Sequence, residues 1–425
     1  MRSLREVMRG NLLVFTLGDV MRQLSMFITF PFFSLYVQAL GGSNVDIGIV
    51  NALRPLASLF IYPVAGYLSD RHSRVRIIAT TGYLTSFIWL FFVLAGDWRM
   101  LAVGNLLLGL MTFYFPAANA LMADSLPPER RGVGYSLWVA VPSAVGIMAP
   151  YIGGYLTTYM GVVPAMRVLY GLTLLMGLAI ATMNLKFLEE RHGEEGSKTP
   201  GGILKVLSSS YRDVFKVTAS LPRSLKAFTL LLALSFFFNN MTVSYWVVHA
   251  VDKIGLTKLQ WGTVLLIAAV VNVTLLLPGG FVVDRVGAKR VLTFALGLSA
   301  VPLLLFPVSR CFWDVTLLFA AMTFTNSFLI SGAPAYMAQA VPPERRGRVM
   351  ATLGQGMLLV NTRGGGSGGP GMGAILAIPA IIGSVLGGFV YDYNPALPWM
   401  LFGASMVVSS VICGIFVTTP DEVQR

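Results

Sequence analysis

Long apolar stretches, broken at near-regular intervals by short polar loops, dominate the chain. A helix needs roughly 20 apolar residues to cross a ~30 Å hydrocarbon core. Twelve such stretches can be marked out, approximately 11–38, 46–69, 77–96, 100–123, 134–158 and 165–186, then 226–250, 259–283, 291–309, 313–340, 373–392 and 397–418. Peptide groups in hydrocarbon must find their hydrogen bonds inside their own segment, so these stretches predict helices. The strand alternation of a membrane barrel is absent. The expected fold is an all-α membrane protein with twelve transmembrane helices.

The polar punctuation repeats. Pro-Pro-Glu-Arg-Arg-Gly occupies 127–132 and again 342–347, while Gly66-Tyr-Leu-Ser-Asp70-Arg71 recurs as Gly280-Phe-Val-Val-Asp284-Arg285 at nearly the same offset. Two unrelated motifs in one register imply two related, parallel halves, an architecture that can expose a central site to either face of a membrane in turn. Residues 1–186 are expected to form one six-helix bundle, 187–225 a cytoplasmic linker, and 226–425 a second, pseudo-symmetric bundle. Within the linker, 203–218 mixes apolar and basic residues in a pattern suited to a helix lying on the inner leaflet; a charged tether is the competing reading. The second half also carries a Gly-rich insertion near 356–373, on the cytoplasmic side. No Gly-Lys-Ser/Thr ending follows it and no strand precedes it, so a flexible linker is expected there rather than a phosphate loop.

Composition narrows the class. Hydrophobic residues make up 55% of the chain and charged residues 12%, and the mean hydropathy of +0.72 excludes an ordinary soluble domain. The net charge of +12 could suggest nucleic acid, but its distribution points to membrane topology instead. Of the basic residues, Arg99, Arg167, Lys253, Lys258 and Arg310 lie in the loops of one side, and Arg22 and Arg54 lie inside spans. All the others fall on the side that holds both termini, which is therefore expected to be the cytoplasm. Arg2, Arg5 and Arg9 before the first apolar segment resemble a signal sequence, but that segment is long, carries Asp19 and Arg22, and lacks a small-residue cleavage site; a spanning helix is expected. Cys311 and Cys413 form no motif, and His72, His192 and His249 are scattered, so no metal site or cofactor is expected.

Ionisable side chains inside spans are costly, and function is the default inference. Asp19, Arg22 and Arg54 each lie about 12–13 Å from a membrane surface at a rise of ~1.5 Å per residue. Asp19 and Arg22 share a helix face and can pair, and Arg54 arrives at similar depth from the neighbouring helix. An acid held by two permanent cations stays ionised until a conformational change separates them, which would couple protonation of Asp19 to opening. A static ion-pair brace is the competing reading. In a third, Arg22 or Arg54 faces the cavity and meets a carboxylate or phosphate on the substrate. Phe27, Phe30, Phe33, Tyr36, Phe113, Phe115, Phe236, Tyr245 and Trp246 suggest a lipophilic cargo instead, although packing or lipid contact also accounts for them. Asn239, Asn240 and His249 in the seventh segment, Asn272 in the eighth and Asn326 in the tenth either bind substrate or bond between helices.

The loop after the second segment resembles the signature Gly-x-x-x-Asp-Arg-x-Gly-x-Lys/Arg-Lys/Arg of the major facilitator superfamily. It is carried here by Gly66, Asp70, Arg71 and Arg74, with Ser73 in place of glycine, and in the second half by Gly280, Asp284, Arg285, Gly287, Lys289 and Arg290. The resemblance spans the chain and implies two six-helix bundles working by alternating access. It also implies that this loop latches the outward-facing state through the eleventh helix; Arg130 and Arg345 of the repeated hexapeptide are assigned to the same latch. A simple topology anchor is the alternative. Gly146, Pro150 and Gly153-Gly154 partly match the Gly-Pro-x-x-Gly-Gly pattern of the superfamily's exporters, with Ala149 at the departing position. Asn105 stands where many proton-coupled exporters carry arginine.

The expected function is secondary active transport of a small organic solute, as efflux coupled to protons. Uptake or facilitated passage of an organic anion or sugar is the alternative, and a non-transporting membrane receptor or scaffold is the alternative of another class. No nucleophile and base stand in a recognisable catalytic arrangement. The expected partners are a small-molecule substrate, protons and the lipid bilayer of a plasma or inner membrane, with no nucleic acid and a monomeric state.

Overall fold

The computed structural model describes residues 9–69, 72–126, 131–190, 216–341 and 374–418, together with 212, 349, 352–354, 358 and 360. The spanning helices are α1 (Asn11–Ala39), α2 (Asn44–Ser69), α3 (Arg74–Val93), α4 (Trp98–Ser125), α5 (131–159), α6 (Val162–Phe187), α7 (Arg223–Lys253), α8 (Lys258–Val286), α9 (Ala288–Val308), α10 (Phe312–Ala340), α11 (Ala374–Tyr393) and α12 (Leu397–Phe416). Among the described residues, eleven contain a window long and apolar enough to cross a membrane. The twelfth, α5, runs as Arg131–Val145, a 3-10 turn over Gly146–Met148, and Ala149–Tyr159. Pro142 and Pro150 each remove a backbone donor, which interrupts the regular ladder there. Most of 203–218, the Gly-rich stretch 361–373, and Asp70, Arg71, Arg130 and Arg345 lie outside the described residues.

The two halves repeat in three dimensions. Within the first half α1 packs on α5 and α6, α2 on α4, and α3 on α4 and α6; within the second, α7 packs on α11 and α12, α8 on α10, and α9 on α10 and α12. Between the halves, α2 meets α11 and α5 meets α8, again an exchange-symmetric set. Even the helix breaks correspond. α1 tightens to a 3-10 turn at Phe30–Phe32, where Pro31 sits, and α7 breaks at Ser244-Tyr245 before a π-helical turn over His249–Lys253. Phe30 and Ser244 are separated by the same number of residues as Gly66 and Gly280.

Large side chains such as Phe60 (56% exposed), Phe281 (68%) and Leu317 (69%) face outward. A continuous belt of this kind is stable only against lipid. The cores are aromatic. In the second bundle Trp246 meets Phe319 and Trp399 edge-on, with ring centroids 5.2 and 5.4 Å apart. Hydroxyls inside the helices satisfy themselves on the preceding turn, as Thr16 does on Leu12 O (2.7 Å) and Thr173 on Leu169 O (2.9 Å), which removes the cost of carrying them into hydrocarbon.

Candidate functional site

On α1, Arg22 Nε donates to Asp19 Oδ1 at 2.8 Å; the Asp19 side chain is 9% exposed and that of Arg22 37%. A second guanidinium nitrogen reaches Met26 Sδ at 3.6 Å. The flanking residues fix the rotation of the helix. Gln23 reaches Ser143 of α5 (3.4 Å) and Ser25 reaches Met176 of α6 (3.2 Å). The ion pair lies within electrostatic reach of Tyr114 on α4. Asp19 is thus held by a cation one turn away, and that cation retains accessible surface.

Arg54 lines a cavity inside the first bundle, bounded by Phe30 and Phe33 of α1, Asn51 of α2, Trp89 and Phe92 of α3, Asn105 and Leu108 of α4, and Tyr170 of α6. The cavity is small, about 20 Å³, room for about one water molecule. Trp89 and Tyr170 stack with centroids 5.5 Å apart and planes at 16°. Asn105 is 8% exposed, and its Nδ2 has no hydrogen-bond partner among the described residues. A cation and a buried amide donor converge on an aromatic box, where a water or a single acceptor atom can meet both. The expected arginine of the fourth helix is replaced by Asn105, yet the neighbouring α2 brings Arg54 into the same cavity.

Asn51 joins this cavity to the contact between the halves. Its Nδ2 donates to Ser244 Oγ (3.1 Å), at the break in α7. Farther along α2, Ser384 Oγ donates to Gly48 O (3.0 Å), Tyr245 Oη to Asn44 O (2.9 Å), and Asn44 Nδ2 to Asp392 Oδ1 (2.7 Å). Gln38 approaches Asp252 at 3.5 Å, and the Leu259 amide donates to Thr158 Oγ1 at 3.0 Å. All these bonds lie at one end of the molecule, that of the α1–α2, α7–α8 and α11–α12 loops. Two glycines permit the approach: a Cβ on Gly388 would stand 2.6 Å from Val45 Cα, and one on Gly154 2.6 Å from Lys258 O. From Asn44 to Asn51 the seal is about 10 Å deep at ~1.5 Å per residue.

At the opposite end, Ser73 and Arg74, the described loop residues of the first-half motif, bind their own bundle. Arg74 pairs with Asp124 of α4, the Arg74 amide donates to Glu190 Oε1 (2.9 Å), and Ser73 Oγ donates to Glu190 Oε2 (2.6 Å). Ser73, the residue that departs from the signature, also caps α3 by accepting from the Arg76 amide. Asn11 adds a clamp, with Nδ2 on Ser125 Oγ (2.8 Å) and Glu189 O (2.7 Å), and Oδ1 accepting from the Glu189 amide (2.9 Å). Asp124, Glu190 and Asn11 belong to no motif. The available signal is their position at the ends of predicted spans on the basic side.

The remaining sequence candidates separate spatially. Asn239 and Asn240 are both buried in α7, where Asn240 Nδ2 donates to Phe236 O at 2.7 Å. Tyr245 is fully buried, stacks on Tyr391 at 4.9 Å and belongs to the seal. Asn272 is half-buried in α8. Asn326 Oδ1 accepts from the Val360 amide at 3.0 Å, which ties α10 to the segment after it. Gly66 lies in α2, Gly280 is half-buried in α8, Asp284 and Arg285 are exposed at the end of α8, and Gly287 turns the chain into α9 with φ of +93°. His249 approaches Tyr391 Oη at 3.4 Å. No group of three or more metal-ligating side chains occurs among the described residues.

A sequence profile of the Major Facilitator Superfamily matches residues 15–357 and 228–424. The Multidrug resistance protein MdtG of Proteus mirabilis is 25% identical over 386 residues, covering 87% of this chain and 89% of that protein. The uncharacterized MFS-type transporter MJ1317 of Methanocaldococcus jannaschii is 20% identical over 419 residues, 95% and 94% of the two chains. Among solved structures, the nucleoside transporter NupG superposes with a TM-score of 0.69 at 13% identity, over 96% of this chain and 98% of its own. The human organic anion transporter MFSD10 gives 0.63 at 16%, over 95% and 98%. At such identities these two likenesses concern the fold. Profile, relatives and the paired helix contacts agree on both halves: the chain belongs to the Major Facilitator Superfamily and is a multi-pass membrane transporter working by alternating access, not an enzyme.

Proposed function

We propose that the protein expels small lipophilic organic compounds across a plasma or inner membrane in exchange for protons, as a monomer with both termini in the cytoplasm. The observation that carries this reading is the Asp19–Arg22 pair, an acid buried in α1 against a cation that remains accessible. The resistance proteins among its relatives support the class of cargo. Protonating Asp19 removes the charge that holds Arg22, and the released guanidinium must then find another acceptor or water. Because the ionised pair is stable in one arrangement and the neutral acid in another, one proton can bias the two-state equilibrium of the bundles. The six bonds from Gln38 to Leu259 then belong to an outer seal that must part when the site opens outward.

The test is a drug-loaded proteoliposome with an imposed pH difference. Asp19→Asn should reduce proton-driven transport by roughly tenfold or more while energy-independent counterflow of the same drug persists. A full proton-driven gradient in that variant would end the proposal. A second reading, an organic anion as cargo, is supported by Arg54, a cation carried inside a span beside the buried Asn105 amide. It predicts that Arg54→Gln discriminates against acidic drugs and leaves neutral ones unaffected.

A further inference from the structure

Far from the ion pair and the seal, an open groove runs along the surface of the second bundle between α9 and α12. Lys289 and Arg290, in the first turn of α9, stand at its mouth. Beyond them the wall is apolar: Phe294 (66% exposed), Leu298 and Val301 (51%) follow on one stripe of α9. Gly297 and Gly414 leave the floor low, and Ser410 in that floor is occupied, its Oγ donating to Thr293 O at 2.7 Å. Neither Lys289 nor Arg290 makes an ion pair with an acid among the described residues.

Two cations thus sit at one end of an apolar channel about 18 Å long, taking ~1.5 Å per residue from Lys289 to Val301. Each end excludes some ligands. A free phosphate gains nothing from the apolar wall, and a zwitterionic lipid gains little from two cations. A phospholipid with a net negative headgroup and an acyl chain satisfies both ends, since basic pockets between helices at the membrane surface attract such headgroups. We propose that this groove is a binding site for an anionic phospholipid, whose phosphate lies between Lys289 and Arg290 and whose chain lies against Phe294, Leu298 and Val301. The site needs only that α9 and α12 cross the bilayer, so it does not depend on what the protein transports.

The full chain, purified and delipidated in detergent, should be given an equimolar mixture of phosphatidylglycerol and phosphatidylcholine, and the retained lipid read by native mass spectrometry. Phosphatidylglycerol should be retained in roughly tenfold preference. The Lys289→Gln/Arg290→Gln variant should lose that preference. Gly414→Leu should lose it too, because a side chain there fills the floor while both charges stay; a Cβ at 414 meets only Thr293 Cγ2 at an ordinary 3.6 Å. A third measurement uses the unaltered protein: phosphatidylglycerol with a photoreactive group on its acyl chain should label peptides from 293–301 and 410–414. Equal retention of the two lipids, preference that survives either variant, or labelling spread evenly around the lipid-facing surface overturns the proposal.

Discussion

Asn105 places a buried amide donor in the Arg54 cavity without a hydrogen-bond partner among the described residues. Such a donor costs about 1–3 kcal/mol. If a substrate group or a water recruited by one uses it, replacing it should separate stability from function. Asn105→Leu is expected to leave the thermal midpoint in detergent unchanged or slightly raised and to cut transport by roughly tenfold. The measurements are a melting curve and an initial rate on the same preparation. Asp19 and Arg22 are the charges that sequence alone could pair, since a spacing of three puts them on one helix face. Arg54 could be placed in depth but not in company: its aromatic box draws on α1, α3, α4 and α6, and no local pattern links those residues.

At the scale of the element, the seal depends on how closely α2 approaches α11 and α5 approaches α8. Gly388→Val puts a branched side chain where Val45 Cα already stands, so the helices must separate. A cysteine at Asn51, in a background lacking Cys311, should then react several-fold faster with a membrane-impermeant thiol reagent added outside. The converse experiment joins the helices. Asn44→Cys with Asp392→Cys replaces the 2.7 Å hydrogen bond with a pair that can be oxidised, and oxidation should stop transport until a reductant restores it. The glycines themselves stand in the sequence, as the pairs Gly153-Gly154 and Gly387-Gly388. Which helix each admits was not visible, because a small residue advertises close approach without naming the partner.

For the whole molecule, the proposed orientation can be read from native residues. Cys311 is exposed at the start of α10, and Cys413 is buried in α12. With both termini inside, a membrane-impermeant maleimide added to intact cells should label the protein once, at Cys311, and Cys413 should react only after denaturation. Labelling of Cys311 solely in inverted vesicles would reverse the topology and with it the side on which the seal lies. The closed end and the Arg74–Asp124–Glu190 cluster lie at opposite ends of the molecule, so a change of access must loosen contacts at one end while those at the other persist or re-form.

Twelve spans and the duplication were legible in the chain, because each follows from local quantities: the length of an apolar run and the recurrence of a motif. The same holds for the Asp19–Arg22 contact, which one helix makes by itself. The tertiary structure decided the rest. Arg54 joined Asn105 and Tyr170, Tyr245 became part of the seal, and Ser73 and Arg74 found Glu190, each through helices far apart in sequence. In a bundle of near-uniform hydrophobicity, apolar faces pack against several partners almost equally well. Shape and a few polar bonds choose between them, and neither is written in the order of residues along any one helix.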